Sequence, residues 1–210
     1  MNRVKNILDF YVLCNKLKDI VRTGWKYWEV DRDRLESVAE HIFGVQILAI
    51  AIYSEYKYDI DILKVIYMLV VHELEEVIIG DLTEFDIDRN EKMIKGHEAI
   101  KIVLKDLSIK DEIENLILEF DERKTKEAKF AYYCDKLECD IQCKLYDCEG
   151  LVDIYSKKDK LQTNIEENLK KIENNEIRWS DMWLEHDKTK FLGDDNFIEL
   201  LDYIKNNKIK

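Results

Sequence analysis

No proline occurs anywhere in the chain, and only six glycines are spread over its 210 residues. Strands need frequent turn residues to reverse direction, so this scarcity argues against a sheet protein and for long helices. Positive charge is short as well. Lysine and arginine total 33 against 45 aspartates and glutamates, a formal net charge of -12. A surface that acidic repels a phosphate backbone, so polymeric nucleic acid is not an expected partner. A small anionic substrate remains compatible where a metal or a few basic side chains concentrate positive charge. An uninterrupted apolar segment is also missing: the N-terminal MNRVKNILDFYVLCNKLKDI alternates charged and apolar residues, unlike a signal peptide. No later run reaches the roughly 18 residues of a membrane span. The expectation is a cytoplasmic protein with no membrane partner, whose five cysteines stay reduced.

Four of those cysteines, Cys134, Cys139, Cys143 and Cys148, fall close together and invite a zinc reading. None of their spacings is C-x-x-C, and at about 100° per residue they do not share one helix face. They read as small core or surface residues.

Hydrophobic residues make up 46% of the chain and charged residues 37%, a globular composition. The length suits one domain, 1–210, with a motif-bearing core over about 1–150 and C-terminal helices over 151–210. Residues 2–20 read as an amphipathic helix with Val4, Ile7, Leu8, Tyr11 and Leu17 on one side. Ser37 and Glu40 form an S-x-x-E capping box, so a helix is expected to start at Ser37. A strongly apolar helix is expected over 61–79, closed by Gly80. Further helices read over 89–106, 110–122 and 126–148, the last with the stripe Phe130, Cys134, Leu137, Ile141 and Leu145. After Gly150 come an alternating Lys/Glu helix, a segment around Trp179 and Trp183, and a short terminal helix. The fold class is all-α.

The chemistry concentrates in VVHELEEVIIGD, residues 70–81. His72, Glu73 and Glu76 follow an apolar run, and burying them unpartnered would cost several kcal/mol. A divalent cation removes that cost by neutralising carboxylates and accepting an imidazole lone pair. His41 lies on the apolar line His41, Val45, Leu48, Ile52 of the preceding helix and is a second candidate. The site needs closing by a third element, for which Asp135, Glu138 and Asp140 are equally eligible by position. Glu75 reads as ordinary solvated surface.

A histidine in one helix, a histidine–carboxylate pair some thirty residues on and a distant aspartate resemble the HD-domain metal-dependent phosphohydrolases. Within them the chain is most similar to the 5′-deoxynucleotidase group. The stretches that carry this are RTGW (22–25), ESVAEH (36–41), VHELEEVIIGD (71–81) and EAKFAYYCDKLE (127–138). The resemblance implies a compact HD-domain helical bundle and one divalent metal ion (Co, Mn, Zn, Fe, Ni or Mg) held by His41, His72, Glu73 and Asp135. It implies Glu76 and Asp81 as catalytic carboxylates, Glu76 acting on the attacking water and Asp81 on the departing 5′-oxygen. Arg22 and Trp25 fall where the substrate's phosphate and sugar are contacted, with Arg34 a further substrate-binding candidate. The substrate would be a small nucleotide, a deoxynucleoside 5′-monophosphate, and the assembly a possible homodimer.

The chain departs from the family pattern at one position, where the usual His-Asp doublet is His72-Glu73. Glutamate reaches about 1.5 Å further, which is large against the tolerance of coordination. Two alternatives follow: an HD phosphohydrolase acting on another nucleotide or phosphomonoester, or a non-catalytic nucleotide-sensing module disabled at Glu73. His97 has no counterpart in the motif and is left outside the site.

Overall fold

The computed structural model describes residues 2–83, 86–153, 170–174 and 176–209. Among them all regular structure is helical, apart from an isolated antiparallel bridge between Val21 and Ser37. The chain groups into two compact units, Met1–Gly24 with Glu36–Cys134, and Trp25–Leu35 with Asp135–Lys210.

In the first unit, α1 (Arg3–Asn15) runs into a 3-10 turn (Lys16–Lys18), and the short α2 (Thr23–Tyr27) begins. It continues with α3 (Val38–Tyr56), α4 (Ile62–Val71), α5 (Glu76–Ile79), α6 (Arg89–Leu104), α7 (Lys110–Glu122) and the first part of α8 (Lys126–Glu149). α3 packs on α4 and α4 on α7, while α6 lies against α5 and α7. Val45, Ala49, Val65, Met68, Leu69 and Leu104 have no exposed surface and form the core between them.

The helix starts follow from local chemistry. The Ser37 N–H donates to Glu40 Oε2 at 3.0 Å and the Ser37 hydroxyl oxygen accepts from the Glu40 N–H at 3.3 Å, the expected capping box. The Asp61 carboxylate accepts from the Leu63 and Lys64 N–H groups at the start of α4, and Asp88 does the same for Asn90 and Glu91 in α6. At 19 residues α3 is long and apolar enough to cross a membrane by length and composition alone, but its inner face buries Val45, Ala49 and His41 within the first unit.

α1 departs from expectation. Val4, Ile7, Leu8 and Tyr11 are 55–66% exposed. The helix packs through the opposite side, with Asn6, Phe10, Leu13 and Cys14 half-buried and Leu17 fully so. On that side Asn6 donates to the Asp106 carbonyl at 2.9 Å.

The second unit is organised by tryptophan. Trp25 packs edge-on to Tyr146 at 5.2 Å between ring centroids and stacks with Trp183 at 5.4 Å, and Trp28 meets Trp179 at 5.6 Å. Trp179 and Trp183 belong to α9 (Trp179–Lys188), which a 3-10 turn (Thr189–Phe191) links to α10 (Asp195–Asn206). Lys144, 2% exposed, donates to the Lys205 carbonyl near the end of α10 at 3.1 Å. The Lys/Glu helix expected after Gly150 falls mostly outside the described residues.

Replacing Ser37 with alanine removes the side-chain half of the capping box and should cost about 1 kcal/mol of stability. Urea unfolding checks this: the midpoint should fall with an unchanged slope, and an unchanged midpoint would mean the box contributes nothing.

Candidate metal centre

α4 does not continue to residue 79. After Val71 the chain winds into a tighter turn in which Leu74 N–H donates to Val71 O (3.2 Å), Glu76 N–H to Glu73 O (3.2 Å) and Val77 N–H to Leu74 O (3.4 Å). These are three-residue bonds of the 3-10 kind, and they replace the four-residue pattern over His72–Glu75. The expected continuous helix is therefore two, with α5 starting at Glu76.

The turn brings the two adjacent side chains of His72 and Glu73 to His41 of α3. Glu73 Oε1 lies 3.7 Å from His41 Nε2 and 3.9 Å from His72 Nε2. One potential ligand atom from each of His41, His72, Glu73 and Asp135 lies within 4.8 Å of all the others. All four residues are 9% exposed or less. Asp135 comes from α8, one residue after Cys134 on an uninterrupted helix, and its Oδ2 pairs with Lys136 Nζ at 2.9 Å.

The donor set suits a divalent cation. His72 Nδ1 is 2.8 Å from the Leu69 carbonyl, so Nδ1 carries the proton and Nε2 offers its lone pair. Atoms bound to one ion through bonds of about 2.0–2.2 Å sit roughly 3–4 Å apart, which matches the Glu73–imidazole separations. The Glu73 carboxylate, one methylene longer than an aspartate, therefore stands at ligand-compatible distances from both imidazoles.

Other charged groups crowd this centre. Arg22 Nη1 donates to Glu73 Oε1 at 2.8 Å and lies 3.6 Å from Asp81 Oδ1. Asp81 follows Gly80, whose φ of +76° is a backbone conformation glycine adopts without strain. The Thr23 N–H donates to Asp81 Oδ2 and the Thr23 hydroxyl to the Asp81 carbonyl, both at 2.5 Å. Glu76 is 1% exposed, and burial pushes its carboxyl well above the usual range. Glu73 and Asp81 add to the rise, while Arg22 and Lys92 oppose it.

The structure brings Arg22, Glu76 and Asp81 to the four-residue group, but it gives the other substrate candidates different surroundings. Trp25 is 2% exposed, with its ring taken up by Tyr146 and Trp183. Arg34 is exposed within the Trp25–Leu35 segment of the second unit. His97, left outside the motif, has its Nε2 2.7 Å from Asp121 Oδ2.

Glu75 is not ordinary surface. Its residue is half-buried, and Oε2 is shut off from solvent. Gly96 of α6 lies so close that a Cβ there would come 3.4 Å from Glu75 Cγ. Burial pushes the Glu75 carboxyl up to about 8, with Glu73 and Asp121 adding and a backbone bond and Lys92 opposing. A face projection of one helix does not reveal this, because the neighbour that covers Glu75 comes from another element. Lys92 and Thr23 were missed for a related reason: Thr23 lies within RTGW without an assigned role, and Lys92 carries no motif.

A family model described as HD domain matches residues 14–178. The chain belongs to the HD-domain family. Among curated members, it is 33% identical over 152 residues to the 5′-deoxynucleotidase HDDC2 of Dictyostelium discoideum, covering 69% of this chain and 79% of that one. It is 30% identical to human 5′-deoxynucleotidase HDDC2 over 68% of this chain and 69% of the relative, and 31% identical to 5′-deoxynucleotidase hdd1 of Schizosaccharomyces pombe over 70% and 76%. Among solved structures, a predicted metal-dependent phosphohydrolase from Magnetospirillum magnetotacticum superposes with a TM-score of 0.57 at 26% identity, over 70% of this chain and 72% of that one. A Pyrococcus horikoshii protein shares the fold over 95% and 98% with a TM-score of 0.60 at 23% identity. The chain is thus an all-α protein of the HD-domain fold.

The raised Glu75 pKa means that the folded protein holds a proton there that the unfolded chain gives up near pH 4.5. That contribution to stability is fully present below the unfolded value and is lost as pH rises to about 8. Wild type should therefore lose stability relative to Glu75→Gln as pH climbs from about 5 to about 8. Thermal unfolding across that range checks it, and parallel curves for the two proteins would contradict it.

Proposed function

We propose that the chain is a metal-dependent phosphomonoester hydrolase that converts deoxynucleoside 5′-monophosphates to deoxynucleoside and phosphate. The observation that carries this reading is the buried group His41, His72, Glu73 and Asp135, with Glu76, Asp81 and Arg22 beside it. Its relatives named 5′-deoxynucleotidase, at about 30% identity over most of the chain, support the substrate class.

In this reading the four residues hold one divalent ion, of the set Co, Mn, Zn, Fe, Ni or Mg. When bound, the ion supplies Lewis-acid polarisation of a phosphoryl oxygen and acidifies water. The Arg22 guanidinium, already held among carboxylates, offers its planar fork to the remaining phosphate oxygens. Glu76 orients the attacking water and takes its proton as the new O–P bond forms and the bond to the 5′-oxygen breaks. The proton it takes then passes to the departing 5′-oxygen, so Glu76 serves as base and acid in turn. The resemblance assigns proton delivery to Asp81, but the contacts around Asp81 favour an anchoring part: Thr23 binds both its carboxylate and its carbonyl, next to Arg22. The preference for deoxyribose rests on the relatives and not on Trp25, whose ring is packed in a core. A homodimer belongs to the same reading, supported by the exposed apolar side of α1.

Purified protein supplied with Co²⁺ or Mn²⁺ should release phosphate from deoxynucleoside 5′-monophosphates faster than from the ribonucleotides. His72→Ala should lower that rate by more than about a hundredfold and remove the metal, while His97→Ala keeps both. No release with any of the six metals would contradict the hydrolase, and equal rates on both sugars would contradict the deoxynucleotide preference.

A further inference from the structure

Glu76 has to present a carboxylate oxygen to water in a fixed direction, yet its side chain has three rotatable bonds and stands among like charges. The structure shows what restrains it. Lys92 lies in the first turn of α6, a helix capped by Asp88, and its own N–H donates to the Asp88 carbonyl at 2.9 Å. From there its side chain turns back. The ammonium donates to the Leu82 carbonyl at 2.6 Å and reaches Glu76 Oε1 at 3.4 Å. Leu82 directly follows Asp81, so one cation ties together α5, α6 and the chain leaving the site. The Lys92 side chain is 34% exposed while that of Glu76 is 1%, so the cation stands at the rim with its donors turned inward. The other oxygen, Glu76 Oε2, is buried and has no hydrogen-bond partner among the described residues.

We infer that Lys92 is a positioning residue for the hydrolysis, holding Glu76 by Oε1 and the chain after Asp81 by the Leu82 carbonyl, so that Glu76 Oε2 receives the proton of the attacking water. The assignment rests on the phosphomonoesterase reading of the site. The atoms balance within that reaction: water oxygen bonds to phosphorus, the bond from phosphorus to the 5′-oxygen breaks, and the proton passes through Glu76 Oε2 to the 5′-oxygen. Lys92 exchanges no proton and touches no reacting atom. Its contribution is the orientation of Glu76 and a charge-assisted tether on the loop.

The test compares wild type, Lys92→Met and Lys92→Arg, loaded with Mn²⁺ and assayed on a deoxynucleoside 5′-monophosphate well below their melting temperatures. Lys92→Met keeps the aliphatic stem and loses the ammonium. It should lower kcat roughly tenfold to a hundredfold, with KM within about threefold and the metal content per chain unchanged. Lys92→Arg, which restores the charge, should recover at least half of the lost kcat. Lys92→Gln, which keeps a donor, gives the same comparison if the methionine variant does not fold. A kcat within about twofold of wild type overturns the assignment. So does a loss of metal in step with activity, or a rise in KM at constant kcat, since those mark a structural or a substrate-binding role. An inactive wild type overturns the hydrolase reading itself, whereas an active wild type with an equally active methionine variant overturns Lys92 alone.

Discussion

Glu73 needs positive charge at its oxygens, and much of the first unit is arranged to deliver it. An ionised carboxylate withdrawn from water without a partner is unfavourable by several kcal/mol. Glu73 is 9% exposed, and its charge adds to the burial that raises the carboxyls of Glu75 and Glu76, with Asp81 adding at Glu76. Arg22 meets one oxygen, and the imidazoles of His41 and His72 approach the same atom within 4 Å. Among the described residues, Arg22 and Lys92 are the cationic side chains that oppose these acids. A divalent cation is the partner that a buried set of two imidazoles and two carboxylates accommodates.

The position of Glu73 follows from the backbone that carries it. Three-residue hydrogen bonds over His72–Glu75 end α4 early, and the chain re-enters a helix only at Glu76. On this tight turn the Glu73 carboxylate stands within 4 Å of both imidazoles. That local winding also separates the duties of neighbouring acids: Glu73 faces the histidines, Glu75 is pressed against Gly96, and Glu76 meets Lys92.

Much of this was legible in the sequence where the physics is local. The Ser37 capping box, the boundaries of α7 and α8, and the absence of strands among the described residues follow from caps, breakers and apolar periodicity. The grouping of His41 with His72 and Glu73 was reached through the family resemblance, since spacing left the partners open. What escaped depends on contacts between distant elements. Periodicity assumes a helix that continues, so it carried α4 through the turn at His72. It also turned the larger apolar stripe of α1 inward, whereas the helix packs through the side that carries Asn6, Phe10, Leu13 and Leu17. Glu75 was read as solvated because α6 covers it, and Lys92 went unnoticed because sixteen residues and a loop separate it from Glu76 in the chain. Trp25 reads as a sugar contact by its motif, yet aromatic packing with Tyr146 and Trp183 claims its ring.

The proposed ligand role of Glu73 joins the His72-Glu73 doublet to the proposed chemistry, and spectroscopic titration with Co²⁺ measures it without reference to turnover. Wild type should take up one equivalent per chain with visible absorption bands typical of mixed nitrogen and oxygen coordination. Glu73→Gln, which keeps the shape and removes the charge, should bind at least about tenfold more weakly with a changed spectrum. A Gln variant that binds one equivalent with the same affinity and the same bands would show that Glu73 does not hold the ion.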